Sequence, residues 1–285
     1  MTMPEMISKK TISKKDLLAR LHQLPSLPLI VQEVIASFND DNLDTAFLAQ
    51  KIARDQGLSA KILRLANSTF YGLPRSVGSI HDAVVVLGFD SVRSLALSAG
   101  MTQTFPSVPY SLFDRQAYWQ RSFRVAAFSK ALAKSVRSDQ QMAFTAGLFY
   151  DIGQLVLDLC IPEQFADLLQ QRAVSGGDLI GIERDEFGFD HAEIGAEVIR
   201  LWNFPQEIEQ VVRCWREPEH ESFTSLAGVV YVAVLLESGL SGEELMAHLP
   251  ETLRRRLKVT WERIEACLPQ PDQLDAGAHS MLAQD

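Results

Sequence analysis

The sequence predicts an all-α protein built as two helical lobes. Three observations carry the prediction. Apolar residues recur at helical spacing almost throughout the 285 residues, no segment sustains period-two alternation between hairpin turns, and capping residues stand where helices would begin. A chain of this length buries a substantial core. With 47% hydrophobic and 22% charged residues it has the composition of a packed globular protein, not of a disordered or fibrous one.

In chain order, residues 1–15 hold Lys9, Lys10, Lys14 and Lys15 and little to bury, so a mobile tail is expected. The first lobe is assigned to 16–105. Leu24-Pro-Ser-Leu-Pro28 is a proline-stiffened entry to a helix. Asp44 caps a helix over 45–54, Ser59 one over 60–66, and Asp90 one over 91–104. Val84-Val-Val86 is β-branched and could form a strand, but Ser79 before it reads as an N-cap and Gly88 after it as a helix stop, which favours a short helix. Phe105-Pro-Ser-Val-Pro-Tyr110 interrupts the pattern and divides the lobes. The second lobe, 110–268, opens with a long apolar-periodic segment near Phe113. In it Asp190 and Glu193 stand in a capping-box arrangement. From 269 the chain is rich in Pro, Gln, Asp and Gly, so 269–285 is expected to be a second mobile tail. No internal repeat is present.

Composition also narrows function. The net charge of −9 opposes broad binding to a nucleic-acid backbone. The basic runs, the N-terminal lysines and Arg254-Arg-Arg-Leu-Lys258, read as solvated surface. Cys160, Cys214 and Cys267 lie far apart and form neither a disulfide framework nor a zinc ribbon. The apolar run from Leu226 to Leu236 is too short for a bilayer, and the N-terminal lysines precede no apolar signal segment. A cytoplasmic location without membrane attachment is therefore expected. P-loop, dinucleotide glycine and Gly-x-Ser-x-Gly motifs are absent.

The motifs that remain are local. Ile52-Ala-Arg-Asp-Gln-Gly-Leu-Ser-Ala-Lys-Ile-Leu-Arg-Leu-Ala-Asn-Ser68 runs on through Phe70-Tyr-Gly72. Ser79-Ile-His-Asp-Ala83 joins Val84-Val-Val-Leu-Gly88, and Asp190-His-Ala-Glu-Ile-Gly-Ala196 is followed by Leu201-Trp-Asn-Phe-Pro205. Together with Leu24-Pro-Ser-Leu-Pro28 and in this order, they resemble the HDOD family, the HD-related output domains of bacterial signalling proteins, from about Leu21 to about Ser238. The resemblance implies an N-terminal helical lobe packed on a lobe related to HD-type metal phosphohydrolases, and a regulatory function.

HD phosphohydrolases use histidines and aspartates to hold divalent metal, whose bound water becomes a nucleophile near neutral pH. Aligned by this resemblance, Arg121 in Trp119-Gln-Arg-Ser-Phe-Arg-Val-Ala126 takes the place of the first histidine. In Ala146-Gly-Leu-Phe-Tyr-Asp-Ile-Gly-Gln-Leu155 the His-Asp pair falls on Tyr150 and Asp151. His191 matches a histidine of the pattern, the next histidine positions fall on Cys214 and Trp215, and the last aspartate, in Val230-Tyr-Val-Ala-Val-Leu-Leu236, falls on Val234. Only Asp151 and His191 keep their ligand types. A guanidinium cannot ligate metal as imidazole does, so no metal and no cofactor are expected. After Trp215 the chain reads Arg216-Glu-Pro-Glu-His220, without the Gly-Tyr-Pro signature of the related cyclic-di-GMP phosphodiesterases.

A carboxylate left inside a helical lobe needs a positive partner. Arg121 and Asp151 are therefore expected within salt-bridge distance, with His191 or Tyr150 completing the hydrogen bonds. Gly147 and Gly153, costly inside a helix, imply close helix packing. His22, His81, His220, His248 and His279 have no ligand-spaced companions. The implied function is a non-catalytic bacterial signalling module that binds a signalling protein partner or a small regulatory ligand, or self-associates. The alternative is a metal-dependent phosphohydrolase with an atypical ligand set.

Overall fold

The computed structural model describes residues 12–40, 44–105 and 111–283, and every regular element among them is a helix. The first half runs α1 (Lys14–Leu21), α2 (Leu29–Ala36), α3 (Thr45–Arg54), α4 (Gln56–Ala66), α5 (Ile80–Leu87) and α6 (Phe89–Thr104). The second runs α7 (Arg115–Ser135), α8 (Gln140–Phe149), α9 (Ile152–Cys160), α10 (Pro162–Ser175), α11 (Leu179–Phe187), α12 (His191–Leu201), α13 (Gln206–Cys214) and α14 (Ser225–Glu237). The short helices α15 (Gly242–His248), α16 (Glu251–Leu257) and α17 (Trp261–Glu265) follow, then α18 (Pro271–Leu282).

The starts follow from side-chain caps that satisfy free backbone N–H groups. Asp44 caps α3, Ser79 caps α5 and Asp190 caps α12, as the sequence predicts. Two starts differ. Asp55 accepts from Leu58 N at 2.9 Å and opens α4 at Gln56, while the Ser59 hydroxyl donates back to the Ile52 carbonyl at 2.9 Å. Gly88, at φ 83°, both ends α5 and admits α6 at Phe89, and Asp90 pairs with Arg93 at 2.9 Å instead of capping. The capping box at α12 is half made, because Glu193 pairs with Lys14.

Both ends of the chain cross the division drawn from sequence. Its join at 106–110, like residues 1–11 of the expected first tail, lies outside the described residues. Ser13 caps α1, whose Leu17 and Leu21 pack with Val156, Phe165, Phe189 and Ile194 of the second half. The sequence predicts a mobile end from 269, but Pro271–Leu282 is helical and buries Leu274, Gly277, Ala278 and Met281. Those positions form one helical stripe. Gly277 is what lets it seat, since a Cβ there would lie 2.5 Å from the Phe123 ring. Arg124 Nε, 3.5 Å from Asp275, and an Arg64 hydrogen bond of 2.8 Å to the Ala283 carbonyl tie this helix to both halves.

One large core joins α2–α6 to α7–α9 and α12–α13 through Leu95, Phe123, Phe149 and Ile199, all fully buried. Burying each such side chain contributes about 2 kcal/mol before the entropy of ordering it. A second core lies under α14–α17. Gln140–Cys160 is apolar and long enough to cross a membrane, yet it breaks at Tyr150 and Asp151 and is mostly buried within the fold. Two glycines fix its neighbours. A Cβ on Gly147 would lie 2.8 Å from Ala126 Cα of α7, and one on Gly153 would lie 1.7 Å from the His191 carbonyl oxygen at the start of α12. That second contact sets His191 beside Asp151.

Candidate functional site

Asp151 occupies the break between α8 and α9, at φ −122° and ψ 19°. Aspartate at such a position ordinarily caps the following helix. Here its carboxylate makes no cap and turns to other partners. Oδ1 lies 3.0 Å from His191 Nε2, and Oδ2 accepts from Gln154 one helical turn ahead. His191 continues the chain of contacts, its Nδ1 lying 2.7 Å from Glu183 Oε2 while its backbone N–H donates to the same oxygen at 2.8 Å. Asp151, His191 and Glu183 are each at most 2% exposed.

Two guanidinium groups stand around this buried chain. Arg121 Nη2 is 3.6 Å from Asp151 Oδ2, so the pairing expected from the sequence is present, and Arg121 Nε donates to the Tyr150 hydroxyl at 3.1 Å. Arg216 Nη2 is 3.9 Å from Asp151 Oδ1, while its Nη1 donates to Asp178 at 3.2 Å. The Arg216 plane lies over the Trp215 ring at 4.6 Å, and Trp215 meets Tyr150 edge to face at 5.1 Å.

Burial would raise the Asp151 carboxyl, but the charge and hydrogen bond of His191, then Arg216 and Arg121, outweigh it and hold it at about 2. Burial would lower His191. The carboxylates of Glu183 and Asp151 overcome that and lift it to about 10, which makes the imidazole a buried cation. Tyr150 is raised, first by burial and then by Asp151.

The structure gathers Arg121, Tyr150, Asp151, His191 and Trp215. Cys214 and Val234 stay out of the polar cluster. Cys214 Sγ donates to the Gln210 carbonyl at 2.9 Å within the second core, against which Val234 packs. His22, His81, His220, His248 and His279 are all exposed. The sequence reading missed Glu183, Arg216 and Gln154. A signal existed for Glu183, which shares the buried face of α11 with Leu179, Ile180 and Phe187. A carboxylate on an apolar stripe calls for a partner.

The donor set does not fit a divalent metal. Each His191 nitrogen faces a carboxylate, so the imidazole has no lone pair to give, and two cations already face Asp151. Among the described residues no group of three His, Cys, Asp or Glu side chains converges on one point.

The HDOD domain family model matches residues 24–218. A Shewanella amazonensis SB2B protein, provisionally named a phosphohydrolase, superposes with TM-score 0.79 at 27% identity, covering 93% of this chain and 97% of that one. A Marinobacter aquaeolei VT8 protein, provisionally named for signal transduction, superposes with TM-score 0.74 at 25% identity over 95% of this chain and 62% of its own. The cyclic di-GMP phosphodiesterase CdgJ of Vibrio cholerae serotype O1 is 24% identical over 227 residues, 70% of this chain and 50% of that protein. The chain spans about half the length of the curated relatives it matches.

Proposed function

The chain belongs to the HDOD domain family, and on that premise we propose that it is a non-catalytic regulatory module, which signals by binding a protein partner or a small regulatory ligand. The observation that carries this reading is the engagement of Asp151 and His191. The two groups that keep the ligand types of an HD phosphohydrolase are bonded to each other, and Glu183, Gln154, Arg121 and Arg216 fill the space around them. Hydrolysis by a metal-bound water needs open coordination positions and neutral imidazole. This arrangement offers neither.

The Marinobacter aquaeolei protein named for signal transduction supports the regulatory half of the reading. The phosphodiesterase activity in the name of CdgJ belongs to a protein of which this chain matches half, and the degenerate site argues against carrying that activity over. The test is direct. Purified protein is expected to hold no stoichiometric Mn²⁺ after incubation and dialysis, and to leave bis-p-nitrophenyl phosphate and cyclic di-GMP intact with Mn²⁺ added. Turnover that is lost in Asp151→Asn and His191→Gln would establish the phosphohydrolase reading instead.

A further inference from the structure

Hydrogen-bond supply around Asp151 is unbalanced, with donors in excess. The two guanidinium groups approach the carboxylate at 3.6 and 3.9 Å, beyond the 2.7–2.9 Å of a direct charge-assisted hydrogen bond. Arg216 Nε and Trp215 Nε1 are buried and have no partner at all. Both groups can only donate. The Tyr118 and Ser122 hydroxyls, one turn apart on α7 beside Arg121, are likewise buried and meet no partner but each other, and Tyr118 is raised by burial and then by the nearby Asp151 charge. A buried donor left unpaired is expensive. Glu183 Oε1, across the His191 ring from Asp151, is a buried acceptor that is also unpaired, so the missing acceptor is confined to the arginine side of the carboxylate.

Access exists, because the side chains of Arg121 and Arg216 are 36% and 32% exposed although the carboxylate between them is 2% exposed. The acids facing these arginines are Asp151, Asp178 and Glu237, and Arg124 offsets Glu237 from the other side. Trp215 itself is only 5% exposed, so its ring offers no stacking surface and its contribution is the N–H.

We propose that Arg121, Arg216 and the Trp215 N–H form a binding site for a phosphoryl oxyanion, either free phosphate or the phosphate of a small ester, seated at the mouth above Asp151. A tetrahedral oxyanion accepts from several directions at once, and guanidinium forks match it in geometry and charge. Bound there, it would draw both guanidinium groups away from Asp151 and couple occupancy to the α8–α9 break and to α13. This inference rests on the ligand-binding half of the proposed function.

The test is calorimetric titration of the full chain with inorganic phosphate, in sodium chloride adjusted to constant ionic strength, followed by titration with adenosine 5′-monophosphate. Saturable one-to-one phosphate binding is expected. Arg216→Gln and Trp215→Phe should each weaken it by about tenfold, the size of one hydrogen bond to a charged group. Arg255→Gln, on the exposed face of α16, should leave it unchanged. Tighter binding of the nucleotide would identify an ester as the ligand, and equal binding free phosphate. Should Arg216→Gln fail to fold, Trp215→Phe decides, since it keeps a ring against Tyr150. Phosphate heats no different from the salt blank, or affinity that survives both substitutions, would overturn the site and leave its donors to water. Failure here without Mn²⁺-dependent hydrolysis leaves the regulatory reading intact, whereas such hydrolysis removes that reading first.

Discussion

Two buried aspartates lie seven positions apart around α9, each answered by an arginine from α7, and they are held in opposite ways. Asp158 is 1% exposed and takes Arg115 directly, with Nε at 2.8 Å, Nη2 on the same oxygen, and the Ser111 hydroxyl on the other. Asp151 is equally buried, yet its arginines stand off at 3.6 and 3.9 Å while His191 and Gln154 make the close contacts. The first arrangement is a fork bonded to one carboxylate, which fixes the start of α7 against α9. The second spreads one negative charge over four partners and keeps donors in reserve. Direct pairing reads as architecture, and slack beside a buried charge reads as a site.

The largest effect should come from breaking the direct pair. Arg115→Ala leaves Asp158 buried without its cation, which is expected to cost about 3–5 kcal/mol of unfolding free energy in urea denaturation. A loss under about 1 kcal/mol would mean that Asp158 escapes to water, and the contrast would collapse.

Alkaline pH should separate the two sites next, because only the Asp151 site contains an imidazole. His191 is raised from 6.5 to about 10, so above pH 6.5 the native protein binds more protons than the unfolded chain and stability falls as pH rises. One proton gives at most about 1.4 kcal/mol per pH unit, hence on the order of 2 kcal/mol between pH 7 and 9. Asp151 has the opposite sign. Its carboxyl is lowered from 3.8 to about 2, so its contribution is present above pH 4 and disappears as pH falls toward 2. Urea midpoints across this range should decline on both sides, and His191→Gln should flatten the alkaline limb. An unchanged alkaline slope in that variant would assign the titration elsewhere.

Arg121→Ala should be milder than Arg115→Ala, about 1–2 kcal/mol, since Asp151 keeps His191, Gln154 and Arg216. Equal losses from the two arginine variants would show that distance from the carboxylate does not distinguish them.

Much of the fold was legible because helix starts are written locally. Asp44, Ser79 and Asp190 cap as read, and Gly88 ends α5 as read. The starts read at Ser59 and Asp90 were off by a few residues because Asp55 and Gly88 take those roles, and the larger errors arose where a long-range contact decided the outcome. Nothing near 271–282 announces that Gly277 will lie against Phe123, or that α1 will pack on the second half, so composition made both ends look idle. In the candidate site, the family pattern picked out Arg121, Tyr150, Asp151, His191 and Trp215 because it compares positions one at a time. It could not supply Glu183 or Arg216, which replace no ligand and matter only through where α11 and the end of α13 bring them.

The smallest expected effect is the most informative about inheritance. Tyr150→His restores the His-Asp pair of the family pattern, and if one residue separated this chain from a metal enzyme, the variant should acquire Mn²⁺. The geometry says otherwise. A new imidazole at 150 would replace the hydroxyl that accepts from Arg121 at 3.1 Å, leaving that guanidinium beside the proposed ligand. His191 would still be held between Asp151 and Glu183, and Arg216 would still face the carboxylate. A divalent ion would have to displace two cations and deprotonate His191 before gaining it as a third ligand beside Asp151 and the new imidazole. Equilibrium dialysis of Tyr150→His should therefore show the same Mn²⁺ content as the parent protein. Stoichiometric uptake would mean that the charges around Asp151 yield to a metal, and that the slack at this aspartate is room for an ion.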